Sequence, residues 1–125
     1  YCGGQNQNPN YDFHPGHAEA LQISLDESAT SLANIYDYFF RIHDPTTLNR
    51  QGNDQGTSYR SAIFYQSPDQ KQAAKTAIER NQKHWNNQIV TSLEPLEIFW
   101  PAEDFHQDYL VKNPAGYTCH WERSR

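Results

Sequence analysis

Residues 31–66 read SLANIYDYFFRIHDPTTLNRQGNDQGTSYRSAIFYQ. Leu32, Ile35, Tyr36, Phe39 and Ile42 recur at three- and four-residue steps, which predicts a helix over 31–43 with one buried stripe. Thr30 or Ser31 can cap its start. Asp44–Pro45 ends it, because the residue before a proline avoids the helical region. At the far end SAIFYQ reads as a short strand. The loop between them holds Gly52 and Gly56 and almost no apolar residues. Polar loops held by rigid elements are where binding groups concentrate.

Downstream, SPDQ opens a second helix. Ser67 is the N-cap, Pro68 the first helical residue, and Gln70 closes a capping box. The pattern runs to about Trp85, with Ala73, Ala74, Ala77, Ile78 and Trp85 facing inward, and Asn86–Asn87–Gln88 breaks it. Residues 88–100 (QIVTSLEPLEIFW) suggest one or two strands, with Pro95 at a bend or an edge. Residues 102–112 predict a short amphipathic helix with Phe105, Tyr109 and Leu110 on its apolar side. Upstream, residues 1–16 (YCGGQNQNPNYDFHPG) are punctuated by Gly and Pro and read as irregular. HAEALQISLD follows, where Glu19, Leu21, Ile23 and Leu25 share one parity and predict a strand with a carboxylate at the head of an apolar stripe. The order strand–helix–strand–helix–strand implies an α+β domain over 1–125, with helices packed on one sheet.

Composition narrows the function classes. Of 125 residues, 36% are hydrophobic, 20% charged and 14% aromatic. So many aromatics argue against a disordered acidic chain and for a small aromatic-rich core. The net charge of -5 lacks the basic footprint of nucleic-acid binding. No apolar run approaches the roughly 20 residues of a membrane helix. Two cysteines cannot build a disulfide framework, so a reducing, cytoplasmic compartment is the default. No signal peptide is visible. The chain opens at Tyr1 and contains no methionine, which reads as a processed product or the later part of something longer.

Glu19, Asp54, Tyr11 and Tyr59 form the strongest candidate constellation. A carboxyl at the head of an apolar strand face loses hydration, so its pKa rises and it can hold a proton near neutral pH. Phenols are neutral donors to an oxygen on which charge develops. Glu19 pointing to water at a strand's start is the plainer alternative. His14, His17 and the His43–Asp44 pair match no zinc spacing, and turn or capping roles suit them better. His106 reads as a surface or packing residue. Cys2 and Cys119 can both be small buried hydrophobes. Cys119, beside His120 on a Gly-containing tail, is also a candidate exchange thiol.

YCGGQNQNPNY, GHAEAL, HDPTTLNRQGNDQGTSYRSAIF and FHQDYLVKNPAGYTCHW occur in this order. Together they resemble the A-type peptide-methionine sulfoxide reductase family from Tyr1 to about Trp121. The long signature RQGNDxGTxYRSAI has Gln55 and Ser58 at its two free positions. The resemblance implies a ferredoxin-like mixed sheet carrying helices and long irregular loops. It also implies reduction of the S epimer of methionine sulfoxide, free or in proteins. In that chemistry a cysteine thiolate attacks the sulfoxide sulfur, a glutamic acid protonates the oxygen, and two tyrosines and an aspartate hold it. A second cysteine resolves the resulting sulfenic acid, and thioredoxin or a small dithiol reduces the disulfide, with no cofactor. Carried onto this sequence, the acid is Glu19, the tyrosines are Tyr11 and Tyr59, the aspartate is Asp54, and Cys119 is the candidate recycling thiol. A monomer is expected, with no nucleic-acid or membrane partner.

The family's nucleophile lies in a Gly-Cys-Phe-Trp motif upstream of its YxGG segment, at the start of a helix whose dipole favours the thiolate. That motif is absent from these 125 residues, and Cys2 does not stand in its place. The expectation is therefore a chain without the family's first strand and helix. It is an incomplete piece, the larger part of a nicked enzyme, or an inactive module that binds oxidised methionine.

Overall fold

Ser67 accepts a hydrogen bond from Gln70 N at 3.1 Å and starts a helix at Pro68. Gln70 Oε1 reaches back one residue further than a capping box requires, to Gln66 N at 2.7 Å. The computed structural model describes residues 1–116, 118 and 120–123. Its elements are α1 (Leu32–Ile42), β1 (Arg50–Gln51), β2 (Asp54–Gln55), β3 (Ala62–Tyr65), α2 (Pro68–Asn81), β4 (Ser92–Pro95) and α3 (Tyr109–Lys112).

β3 and β4 pair in parallel, from Ala62 opposite Ser92 to Tyr65 opposite Pro95. Parallel neighbours require a crossover, which α2 supplies. β1 and β2 form a separate antiparallel hairpin. Helices α1 and α2 pack on one another and enclose Tyr36, Phe40, Ile63, Ala74 and Ala77, with Leu32, Phe39, Ile78, Ile89 and Leu93 around them. The alanines of α2 let the bulky face of α1 approach. Asp37 on α1 pairs with Arg80 at 2.7 Å and accepts from Asn81 Nδ2 at 2.8 Å. The buried Asn81 also donates to Ala77 O, so its amide is satisfied.

The α1 reading holds, with Ser31 as its cap and Asn34 N as the donor. Phe40, fully buried, lies four residues after Tyr36 on that stripe and adds to the residues named from the sequence. Among the described residues, the named strands form two two-stranded sheets. Two expectations need correction. Residues 19–26 form no strand, and Leu21 and Ile23 are 81% and 55% exposed. An alternating pattern marks a face fit for burial, but a strand exists only where a neighbour takes its backbone hydrogen bonds. The helix expected over 102–112 breaks into a single turn at Asp104–His106 and the four-residue α3. Asp108 between them is left-handed at φ 52°, and Phe105, Tyr109 and Leu110 stay largely exposed. Trp85 likewise lies beyond α2, after a tight turn at Gln82–His84, and its indole donates to Phe40 O at 3.1 Å.

Candidate active site

Two loops meet beside β3. The first, residues 1–19, has little regular structure and is braced by histidines. His17 is buried and accepts from Gly4 N at 3.1 Å. Its other ring nitrogen therefore donates to Asn6 O at 2.9 Å. His14 donates from Nδ1 to Asn10 O, leaving Nε2 to accept from the Ser58 hydroxyl, both at 2.8 Å. Both imidazoles are thus turn braces, as the spacing suggests. Cys2 N and Ala18 O bond across the loop's two ends.

The second loop follows α1. Gln51 is buried against its end, exchanging two 2.9 Å hydrogen bonds with the Asp44 backbone. This fixes the β1–β2 hairpin that carries Asp54, and a tight turn at Thr57–Tyr59 follows it. Arg60 then ties the two loops together. It forms a fork with Glu94, at 3.0 and 3.1 Å, and donates to Gly16 O at 3.0 Å and Thr57 O at 2.7 Å. Burial would raise the Glu94 carboxyl, but the hydrogen bonds from Arg60 and Ser92 outweigh it and hold the group below the usual carboxylate range.

Glu19 N donates to Ser58 O at 2.8 Å, which places the proposed acid next to the turn ending at Tyr59. Tyr11 stands at the tip of the first loop, and its ring lies 4.9 Å from that of His106. Tyr1 opens the same loop, with its ring 5.0 Å from that of His14. Its phenol is pushed well up by burial, then by its hydrogen bond to Glu103, with smaller contributions from Glu19 and Tyr11. Tyr1 and Tyr11 are thus both held by Glu103, Glu19 is bonded through its backbone to the turn ending at Tyr59, and Asp54 sits on the adjoining hairpin. An open groove of about 350 Å³ runs between the loops, lined by Phe13, His14, Gly16, Thr57 and Ser58.

Glu19 itself is exposed, since the strand expected to bury it does not form. Desolvation on an apolar strand face is thus not what this arrangement offers it. Cys2 is 1% exposed, and burial pushes its thiol up, opposite to what a thiolate nucleophile needs. Cys119 lies outside the described residues. Tyr1, Arg60 and Glu103 were not singled out by sequence, because their partners lie far along the chain. His106 Nε2 is shut from solvent and bonds no group among the described residues.

A family model for peptide methionine sulfoxide reductase matches residues 1–125. The chain belongs to that family. Among relatives, the peptide methionine sulfoxide reductase MsrA of Mycobacterium sp. (strain JLS) is 52% identical, over 98% of this chain and 73% of its own length. That of Nocardia farcinica is 50% identical over 98% of this chain and 74% of its own length. Among solved structures, Mxr1 from Saccharomyces cerevisiae in reduced form superposes with a TM-score of 0.94 at 39% identity, covering 99% of this chain and 75% of that one. Mxr1 in complex with Trx2 gives 0.63 at 29% identity, covering 99% and 68%. The reductase motifs GHAEA and RQGNDQGTSYRSAI thus fall on the two loops that Arg60 and the Glu19–Ser58 bond hold together.

Proposed function

We propose that this chain reduces methionine sulfoxide in peptides, and free methionine sulfoxide, to methionine, acting on the S epimer. Glu19 supplies a proton to the sulfoxide oxygen, Tyr11 and Tyr59 donate hydrogen bonds to it, and Asp54 helps hold it. A thiol attacks the sulfur, the S–O bond breaks, and the oxygen leaves with the thiol as a sulfenic acid while the product departs as methionine. A second thiol condenses with the sulfenic acid, releasing water and forming a disulfide. Thioredoxin or a small dithiol then supplies the two electrons that restore both thiols.

The bond from Glu19 N to Ser58 O at 2.8 Å supports this reading, because it sets the backbone of the proposed acid beside the turn that carries Tyr59. Near-half identity to named reductases over nearly the whole chain favours catalysis over an inactive binding module. The attacking thiol is assigned to the family's Gly-Cys-Phe-Trp segment, which the 125 residues do not contain. The buried Cys2 is a poor substitute, and Cys119 takes the recycling role. The complex of Mxr1 with Trx2 supports thioredoxin as the partner.

The finer architecture belongs to the same reading, with the β3–β4 pair as part of a ferredoxin-like mixed sheet. No helix among the described residues is long and apolar enough to cross a membrane. A cytoplasmic monomer is the setting we propose.

Turnover of the full gene product with dithiothreitol, on each sulfoxide epimer separately, tests the proposal. Glu19→Gln is expected to lower kcat about 10²–10⁴-fold, the usual worth of a positioned general acid. An unchanged rate, or preference for the R epimer, overturns it.

A further inference from the structure

Glu103 holds two parts of the first loop at once. Its Oε1 accepts from the Tyr1 hydroxyl at 2.7 Å, and its Oε2 accepts from Tyr11 N at 2.9 Å. Glu103 lies 102 and 92 residues along the chain from these donors. The segment before it is fixed independently: Trp100 N donates to Tyr1 O at 3.0 Å. The turn after it supplies the surface on which the Tyr11 ring rests, with Phe105 and His106 centroids 6.4 and 4.9 Å away. One short stretch, 100–106, thus sets both the backbone and the ring plane of Tyr11, a residue otherwise at an exposed loop tip.

We propose that Glu103 is a positioning residue for the reductase reaction, clamping the Tyr11 backbone so that the phenol meets the sulfoxide oxygen. The inference rests on the reading of Tyr11 as an oxygen holder. It needs an ionised carboxylate, because only a group with two acceptor oxygens can serve two donors on opposite sides. The hydrogen bonds from Tyr1 and Tyr11 hold the Glu103 carboxyl below the usual carboxylate range, so both oxygens remain acceptors at neutral pH. An amide has the same shape but one acceptor, so Glu103→Gln must release one donor. Glu103 does not touch substrate in this scheme. Its effect passes through Tyr11, where a displacement of about 1 Å can cost up to about 10²-fold in rate.

A double-mutant cycle in the full gene product tests this. Glu103→Gln is expected to lower kcat about ten- to a hundredfold, with KM changed less. The Tyr11 amide proton should also shift in a ¹⁵N-resolved spectrum. In a Tyr11→Phe background the same change should cost less than about threefold, because the group it positions is already gone. If the full loss persists there, or if Glu103→Gln alone leaves kcat unchanged, the clamp is not a positioning device, while the oxygen-holding role of Tyr11 stands. If Tyr11→Phe itself leaves kcat unchanged, that role falls and this inference falls with it. Should Glu103→Gln fail to fold, Glu103→Asp, which keeps the charge but is one methylene short, is put through the same cycle.

Discussion

The imidazole of His43 accepts a hydrogen bond from the Ser61 hydroxyl at 2.8 Å, joining the end of α1 to the start of β3 inside the core. Nδ1 donates to Phe39 O at 2.6 Å, which fixes the tautomer, and Ser61 in turn accepts from Thr91 Oγ1 at 2.7 Å. With Nδ1 committed to Phe39 O, this direction of bonding is that of the neutral imidazole. Burial is the main reason its pKa falls from 6.5 to about 4.

The sign of the resulting pH dependence follows. Between these values the unfolded chain binds a proton that the folded chain refuses. Stability from this group is therefore present above about pH 6.5 and drains away as the pH falls towards 4. The loss approaches about 3 kcal/mol in all. Urea unfolding at pH 7, 6 and 5 should show it, and His43→Gln should flatten the slope in that window. An unchanged slope in the variant would place the dependence elsewhere.

Lysine is predicted to replace Arg60 only in part. The pair with Glu94 has side chains only 14% and 26% exposed, and the same guanidinium serves Gly16 O and Thr57 O. A lysine keeps the charge but not the planar fork. Arg60→Ala should cost about 3 kcal/mol, since it strands a partly buried carboxylate. Arg60→Lys should cost about half as much, read from urea midpoints. Both should raise KM for methionine sulfoxide as the two loops separate.

Gly4→Ala should destabilise the first loop by about 1–3 kcal/mol through overpacking. A Cβ there would collide with the His17 ring and backbone, and His17 cannot retreat without losing Gly4 N and Asn6 O. Thermal unfolding of the variant checks this, and a melting temperature equal to that of the parent would show the loop to be loose.

Phe40→Ala should cost about 3–5 kcal/mol, because its ring is fully enclosed between the two helices and β3. Leu48→Ala should stay within about 0.5 kcal/mol, since Leu48 is 76% exposed. The contrast between the two is the measurement, made by chemical denaturation at one pH.

What could be read from the chain alone was whatever neighbouring residues settle among themselves. Ser31 and Ser67 cap their helices because a side-chain oxygen finds a backbone N–H three residues on. The apolar spacing of α1 places Tyr36 on a buried face for the same local reason. GHAEA and RQGNDQGTSYRSAI marked the acid and phenol loops as sequence patterns. Alternation over 19–25 marked a face fit for burial without saying whether another strand lies beside it.

Only the tertiary structure decided that Glu19 meets Ser58, that Arg60 joins two loops through Gly16 O while pairing with Glu94, and that Glu103 serves Tyr1 and Tyr11. These partners are separated by tens of residues or more, and a hydrogen bond of 2.7–3.1 Å between them depends on the path of all the chain in between. Helix caps close over a few residues at little cost in chain entropy. A clamp spanning 92 residues forms only after the core has fixed where both ends lie, so nothing near either end in sequence announces it.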